Sequence, residues 1–168
     1  MKPSLVSALL AALVVPPISA VACECNAPAS LEQSIAKEFQ LAAAVFRGVS
    51  GARSTVDLDA AYCANHLTSS DSQQIKCWFT TEIEFVVSQV WKGDVPERMP
   101  VLTAARDGSC GTALEQGREY IVFAYAIPND DALYMHACSP TTSQGEFWFD
   151  GVMAFLVRRT ATEPQRKQ

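Results

Sequence analysis

Histidine is scarce in this sequence, with only His66 and His136 among 168 residues. His66 lies in a polar stretch without a steady hydrophobic period, and His136 lies in a strand pattern close to Cys138. No P-loop, G-x-S-x-G or H-E-x-x-H motif occurs. Glu82 and Glu84 alternate with apolar residues, which predicts a solvated strand face rather than a catalytic pair. These absences argue against an enzyme, and we expect no cofactor.

Basic charge is also lacking, because 13 Lys and Arg stand against 18 Asp and Glu. Without the first 22 residues, which contain Lys2, the net charge is −6 with histidine neutral. An acidic surface repels phosphate backbones, so we expect no nucleic-acid partner. The only long apolar run is Leu5–Val15, and Pro16-Pro17 ends it too early for a spanning helix. We therefore expect no membrane span.

The first 22 residues have the pattern of a secretory signal peptide. Lys2 supplies a positive start, Leu5–Val15 an apolar core, and Ala20-Val21-Ala22 an A-x-A cleavage site. Cleavage after Ala22 would make Cys23 the first residue of the mature chain, with a free α-amine. The pattern predicts a secreted protein, either extracellular or periplasmic.

Six cysteines are present, an even number. They are Cys23, Cys25, Cys63, Cys77, Cys110 and Cys138. An export signal with an even cysteine count predicts three disulfides, for which fifteen pairings are formally possible. A metal site is less consistent with the sequence, since there is no C-x-x-C pair. Paired cysteines also leave no free thiol for a Cys–His nucleophile.

The start of the mature chain has a second interpretation. Ala20-Val21-Ala22-Cys23 also resembles a bacterial lipoprotein box, in which Cys23 would be lipidated and its amine acylated. That pattern usually has Leu where Ala20 stands. Lipidation would also leave five cysteines, an odd number for a secreted chain.

Short strands with a helix near each end are predicted between residues 30 and 157. Ser30-Leu31-Glu32-Gln33 fits a capping box and predicts a helix over about 31–38. A second capping box, Ser143–Glu146, precedes a helical stripe. The stripe comprises Trp148, Val152, Phe155 and Leu156. Strand patterns cover about 41–49, 80–91, 101–105, 119–125 and 133–137, with a bulge expected near Ser88-Gln89.

These elements predict a mainly β domain over residues 23–157, built as a small closed barrel flanked by two helices. Residues 50–74 lack a steady period and are predicted to form a long loop tethered by Cys63 and Cys77. Residues 158–168 are predicted to form a flexible polar tail. Tyr120, Trp91 and Trp148 are expected in the core.

Several short motifs, taken in order, carry a resemblance to a known family. They are Cys23-x-Cys25 after the signal, Phe46-Arg47-Gly48, Val90-Trp91-Lys92-Gly93, Ser109-Cys110-Gly111, the strand after Gly117, and Cys138 after an apolar strand. Together they resemble the inhibitory N-terminal domain of the tissue inhibitors of metalloproteinases, over residues 23 to about 157. The resemblance implies a closed Greek-key barrel of the OB-like, netrin-like class.

The resemblance also implies a mechanism and a covalent framework. The α-amine and carbonyl of Cys23 would chelate the catalytic zinc of a target metalloprotease, and the Glu24 side chain would enter the adjoining pocket. The implied inhibitory ridge comprises Cys23, Glu24, Cys25, Asn26, Ala27, Gly108 and Ser109. The implied disulfides are Cys23–Cys110 and Cys25–Cys138, which leaves Cys63 and Cys77 for each other.

The sequence departs from the family in three respects. Glu24 stands where the family usually has Thr or Ser, there is no cysteine in the first helix, and the disulfide-rich C-terminal subdomain is absent. A carboxylate suits an apolar pocket poorly and a basic pocket better. The alternative function is a non-inhibitory netrin-like module that binds a protein or a glycan, with lipid anchoring through Cys23 as a further option. In either case we expect a monomer.

Overall fold

The computed structural model describes Cys25, residues 30–56, Cys77, residues 80–104 and residues 111–162. In chain order these residues form two helices and five strands. They are α1 (Leu31–Leu41), β1 (Ala44–Thr55), β2 (Thr81–Lys92), β3 (Arg98–Thr103), β4 (Glu119–Ala126), β5 (Leu133–Tyr134) and α2 (Phe149–Thr162).

The five strands close into a barrel with the spatial order β1-β2-β3-β5-β4, in which β4 returns to β1. Neighbours are antiparallel except β3 and β5, which pair in parallel through Val101↔Leu133 and Leu102↔Tyr134. A small five-stranded Greek-key barrel with a helix before and after it is an OB-like architecture. The predicted fold class is confirmed.

Two apolar clusters lie on opposite sides of the barrel wall. The interior cluster comprises Ala44, Phe46, Ile83, Phe85, Met99, Val101, Leu114, Tyr120, Val122, Ala124 and Met135. The outer cluster, where α1 and α2 cover β1 and β4, comprises Ile35, Phe39, Ala42, Val45, Ile121, Phe123, Tyr125, Val152 and Leu156. Because both faces of β4 are buried, its sequence is a continuous apolar run. Tyr120 is core as predicted, and Trp91 and Trp148 pack against the outer cluster.

The predicted bulge in β2 is present at Ser88. Arg47 pairs with Gln89 and Gly48 pairs with Val87, so Ser88 has no partner position on β1. The extra residue bends β2, which allows a short sheet to close on itself. Before the bulge the predicted alternation holds, with Phe85 buried and Glu84 exposed.

Residues 50–55 differ from the prediction that a loop begins at residue 50, because β1 extends to Thr55. This part of β1 pairs with β2 through Arg53↔Ile83 and Thr55↔Thr81. Its side chains from Gly51 onward are mostly exposed, so the sequence carries no apolar alternation to mark the strand. The remainder of the predicted loop, residues 57–74, lies outside the described residues.

The Trp91-Lys92-Gly93 segment holds the end of α1 against the barrel. Lys92 Nζ donates to the carbonyl oxygens of Phe39 at 2.7 Å and Gln40 at 2.8 Å, which are free at the C-terminus of the helix. Gly93 has φ 85°, and a Cβ there would lie 2.6 Å from the Ala43 carbonyl oxygen. Only glycine fits this close approach.

The second capping box forms hydrogen bonds, but α2 begins three residues after Glu146, at Phe149. Ser143 donates from its backbone nitrogen and hydroxyl to the Glu146 carboxylate at 3.0 and 2.7 Å. At the other end α2 runs past residue 157 to Thr162. Arg158 pairs with Glu32 of α1 there, which joins the two helices. Within the described ranges, neither helix is long and apolar enough to cross a membrane.

Candidate functional site

Cys25 is the one residue of the predicted inhibitory ridge that the structure describes. It is exposed and forms a disulfide with Cys138, with the two Cα atoms 5.4 Å apart. The predicted Cys25–Cys138 link is therefore confirmed. The other ridge residues, Cys23, Glu24, Asn26, Ala27, Gly108 and Ser109, lie outside the described residues.

Cys77 is also disulfide-bonded. Since Cys25 and Cys138 bond each other, the partner of Cys77 is one of Cys23, Cys63 and Cys110, all of which lie outside the described residues. The Cys63–Cys77 and Cys23–Cys110 links stay predictions.

The topology brings the residues on either side of 105–110, and the segment that leads to Cys138, to one end of the barrel. Strands β3 and β5 are parallel, and Met135, directly after β5, donates from its backbone nitrogen to the Leu102 carbonyl at 2.8 Å. The carboxyl ends of β3 and β5 therefore lie together. Thr112 donates from its backbone nitrogen to Thr103 Oγ1 at 3.1 Å. Thr103 and Thr112, which lie on either side of residues 105–110, are therefore at the end of the barrel from which the segment to Cys138 departs.

A layer of rings lies beside the segment that leads to Cys138. The Tyr125 and His136 ring centroids are 4.8 Å apart, and the Tyr125 and Tyr134 centroids are 5.6 Å apart. Tyr125 Oη donates to Glu38 Oε2 of α1 at 2.6 Å. The layer therefore links α1, β4 and the segment after β5 immediately before the disulfide.

Burial controls the ionisation of this ring layer. It lowers the pKa of His136, and the nearby Glu38 carboxylate opposes that shift only in part. Burial also raises the pKa of Tyr125, with further contributions from Glu38 and Tyr134. At neutral pH the three rings are therefore neutral.

The structure adds this ring layer to what the sequence predicted. The strand patterns placed Tyr125 and Tyr134 on adjoining strands, and a period-2 count puts Tyr134 and His136 on one face. Nothing in the sequence indicated that Glu38, 87 residues before Tyr125, would accept the Tyr125 hydroxyl. The contact between α1 and β4 depends on how the barrel closes, and no local sequence pattern predicts it.

Among the residues described, no group of three or more His, Cys, Asp and Glu side chains could hold a metal ion. The predicted zinc contact is of a different kind, since it uses the backbone amine and carbonyl of Cys23 toward a metal held by another protein.

No family model matches the chain, and no curated protein matches it.

Proposed function

We propose that this protein is a secreted inhibitor of zinc metalloproteases that acts through the N-terminus of its mature chain. In this proposal the signal peptide is removed after Ala22, and the α-amine and carbonyl of Cys23 chelate the catalytic zinc of the protease. They occupy the open coordination position that water or substrate otherwise takes. The protein carries out no reaction itself.

The Cys25–Cys138 disulfide is the observation that carries the proposal. A chelating N-terminus must be held rigidly, because ordering a free chain end on binding would cost conformational entropy. Cys25 is covalently attached to the segment after β5, at an exposed position. Two residues of extended chain span at most about 7 Å, so the α-amine of Cys23 is kept near this anchor.

The closed barrel supports the proposal in a second way. The hydrogen bonds at Leu102 and Thr103 hold both flanks of residues 105–110 at the end of the barrel that leads to Cys138. In the proposal Gly108 and Ser109 adjoin the N-terminal segment there. A rigid wedge made of two chain segments fits an active-site cleft better than a single flexible tail.

The proposal is tested by inhibition assays on a panel of zinc metalloproteases. Three proteins are compared: the mature chain from Cys23, the same chain with one Ala added before Cys23, and a control with one Ala added after Gln168. The added N-terminal Ala converts the Cys23 amine into an amide, whose nitrogen is a poor zinc ligand. We expect inhibition by the mature chain and by the control, and loss of nearly all inhibition by the N-terminally extended chain.

Two outcomes contradict the proposal: equal inhibition by the extended, folded chain, or no inhibition of any protease in the panel by the mature chain. Mass spectrometry of the natural mature N-terminus provides a separate check. A free Cys23 amine agrees with chelation, whereas an acylated, lipidated Cys23 rules it out.

A further inference from the structure

Cys138 lies in a short segment that is attached to β4 at both of its ends. Before Cys138, Tyr134 of β5 pairs with Tyr125 of β4. After Cys138, Thr142 exchanges two backbone hydrogen bonds with Ile121 of β4, at 2.8 and 3.0 Å. The two points of attachment are about 13 Å apart along the strand. The chain therefore leaves β4, passes through Cys138 and returns to the same strand.

A hydrogen bond closes this segment into a tight turn. Ser139 donates from its backbone nitrogen to the His136 carbonyl oxygen at 3.0 Å. This bond joins the first and fourth residues of a β-turn, so Ala137 and Cys138 are its two central residues. We call these four residues the anchor turn, because its Cys138 holds Cys25 through the disulfide.

The residues that enter the anchor turn are held by a backbone hydrogen bond and a ring contact. Met135 donates from its backbone nitrogen to the Leu102 carbonyl oxygen at 2.8 Å. The His136 and Tyr125 ring centroids are 4.8 Å apart. Both contacts lie before Cys138, so the position of Ser139 at the end of the turn depends on other contacts.

A buried hydroxyl network holds the chain after the anchor turn. Thr141 Oγ1 accepts a hydrogen bond from the Phe123 backbone nitrogen at 3.0 Å. Ser139 Oγ donates to the same Thr141 oxygen, also at 3.0 Å. Thr141 and Ser139 are 9% and 7% exposed, so both bonds are shielded from water. The Thr141 hydroxyl therefore connects the last residue of the turn to β4.

The short length of β5 explains why a hydroxyl is needed at Thr141. β5 is two residues long and pairs with Tyr125 and Ala126, beyond Phe123. Phe123 is fully buried, and a buried backbone N–H without an acceptor is costly. The Thr141 oxygen accepts from this N–H, whereas valine, which has nearly the same shape, has no acceptor to offer.

We propose that Thr141 is a positioning residue for the inhibitory N-terminus. Its hydroxyl fixes Ser139 against β4, which fixes Cys138 in the anchor turn and, through the disulfide, fixes Cys25. Cys25 lies two residues after Cys23, the proposed zinc ligand, so the orientation of that ligand depends on these contacts. The effect on a protease rests on the proposed inhibition, but the positioning of Cys25 is measured on the protein alone.

The test compares Thr141→Val, which removes the oxygen, with Thr141→Ser, which keeps it. NMR relaxation of the isotope-labelled mature chain gives backbone order parameters at Ala137 and Cys25. In the unsubstituted mature chain we expect values of about 0.85, typical of rigid backbone. Thr141→Val should lower both to about 0.6 while β2 stays at about 0.85, and Thr141→Ser should restore them.

The same variants are then assayed against a zinc metalloprotease that the mature chain inhibits. We expect Thr141→Val to raise the inhibition constant about tenfold, the scale of fixing the backbone of one residue, and Thr141→Ser to restore it. Ile83→Val is the control, because Ile83 is buried in β2, which pairs with β1 and β3 and not with β4 or β5. It should lower folding stability and leave the order parameters and the inhibition constant unchanged.

Several results would overturn the inference. They are low order parameters in the unsubstituted mature chain, unchanged values in Thr141→Val, a fall that Thr141→Ser does not reverse, a fall that Ile83→Val reproduces, or an unchanged inhibition constant despite a fall. If Thr141→Val does not fold, Ser139→Ala is judged by the same criteria, since it removes the bond to Thr141 and keeps the bond from Phe123. A mature chain that inhibits no protease would refute zinc chelation, while the order parameters still decide whether Thr141 positions Cys25.

Discussion

His136 lies in the ring layer that leads to Cys138, and its ionisation affects how firmly that layer is held. Tyr125, Tyr134 and Glu38 are the titratable groups around it. A half-buried imidazole stacked on tyrosine rings is stable as the neutral form, and its protonation would place a charge among partly buried rings.

We predict that folding stability falls between pH 7 and pH 5 in part through His136. Burial holds the folded pKa below the ordinary value of 6.5, so the unfolded chain takes up the proton first as pH falls. The stability that depends on neutral His136 is fully present above pH 6.5, and it is lost as the pH falls toward the lower pKa of the folded state. Urea unfolding at pH 7.0 and pH 5.5 measures this loss.

The control variants for this prediction are His136→Gln and His66→Gln. The first should reduce the pH dependence in this window, and the second should keep it. Burial alone would raise the pKa of Glu146, but its hydrogen bonds from Ser143 and Thr142 and the Arg118 charge outweigh burial and lower that pKa. Protonation of Glu146 therefore reduces folding stability only below about pH 4.5, its ordinary pKa. An unchanged slope in His136→Gln would refute the prediction.

Glu24 is the residue expected to determine which proteases are inhibited. In the proposed mechanism its carboxylate enters the pocket beside the zinc and loses hydration there. We predict that Glu24→Thr strengthens inhibition of proteases with apolar pockets by about 1–3 kcal/mol and weakens inhibition of proteases with basic pockets. Inhibition constants for both classes measure the effect, and identical constants would place Glu24 in water.

Among the elements, the connection from β2 to β3 positions α1 through Lys92 and Gly93. The Lys92 ammonium lies 5.5 Å from the centroid of the Phe39 ring and caps the helix carbonyls. Burial, with the nearby Arg159 charge, lowers the pKa of Lys92. The close contact at Gly93 keeps this connection against the start of β1.

We predict that Gly93→Ala destabilises the protein more than Gly117→Ala. Both glycines have positive φ, 85° and 78°, so each substitution costs about 1–2 kcal/mol of backbone strain. Only at Gly93 does the added Cβ meet backbone, 2.6 Å from the Ala43 carbonyl oxygen; nothing lies within 4 Å at Gly117. Chemical denaturation measures both, and equal losses would show that the contact at Gly93 relaxes freely.

Elements with a clear period were predicted well from the sequence. β2 and its bulge at Ser88, the apolar β4 and the two helices all have local patterns that decide them. The end of β1 could not be predicted, because exposed polar residues in β1 are held by pairing with β2. The capping box predicted that α2 begins at Ser143–Glu146, but α2 begins at Phe149, because the Ser143–Glu146 hydrogen bonds close a turn before the helix.

Across the whole molecule, the Cys25–Cys138 link joins Cys25, which precedes α1, to the segment between β5 and α2. The closed barrel was predictable from the number and spacing of the strands. The pairing of Cys25 with Cys138 followed from the resemblance alone, because six cysteines allow fifteen pairings.

We predict that the double variant Cys25→Ala/Cys138→Ala loses about 5 kcal/mol of folding stability, as expected for a sequence separation of 113 residues in the chain-entropy model. It should also lose inhibition, because the N-terminal segment is no longer anchored. Guanidinium unfolding without reductant measures the first effect. A loss below about 1 kcal/mol would mean that the unfolded chain is already constrained there by its other links.

The most direct measurement of the central claim is the absorption spectrum of a target protease whose zinc is replaced by cobalt(II). The d–d bands of cobalt report the ligands of the metal itself. We predict that the mature chain changes these bands, as the Cys23 amine and carbonyl replace bound water, and that the chain with Ala added before Cys23 leaves them unchanged. Inhibition by the mature chain without any change in the bands would contradict chelation by Cys23.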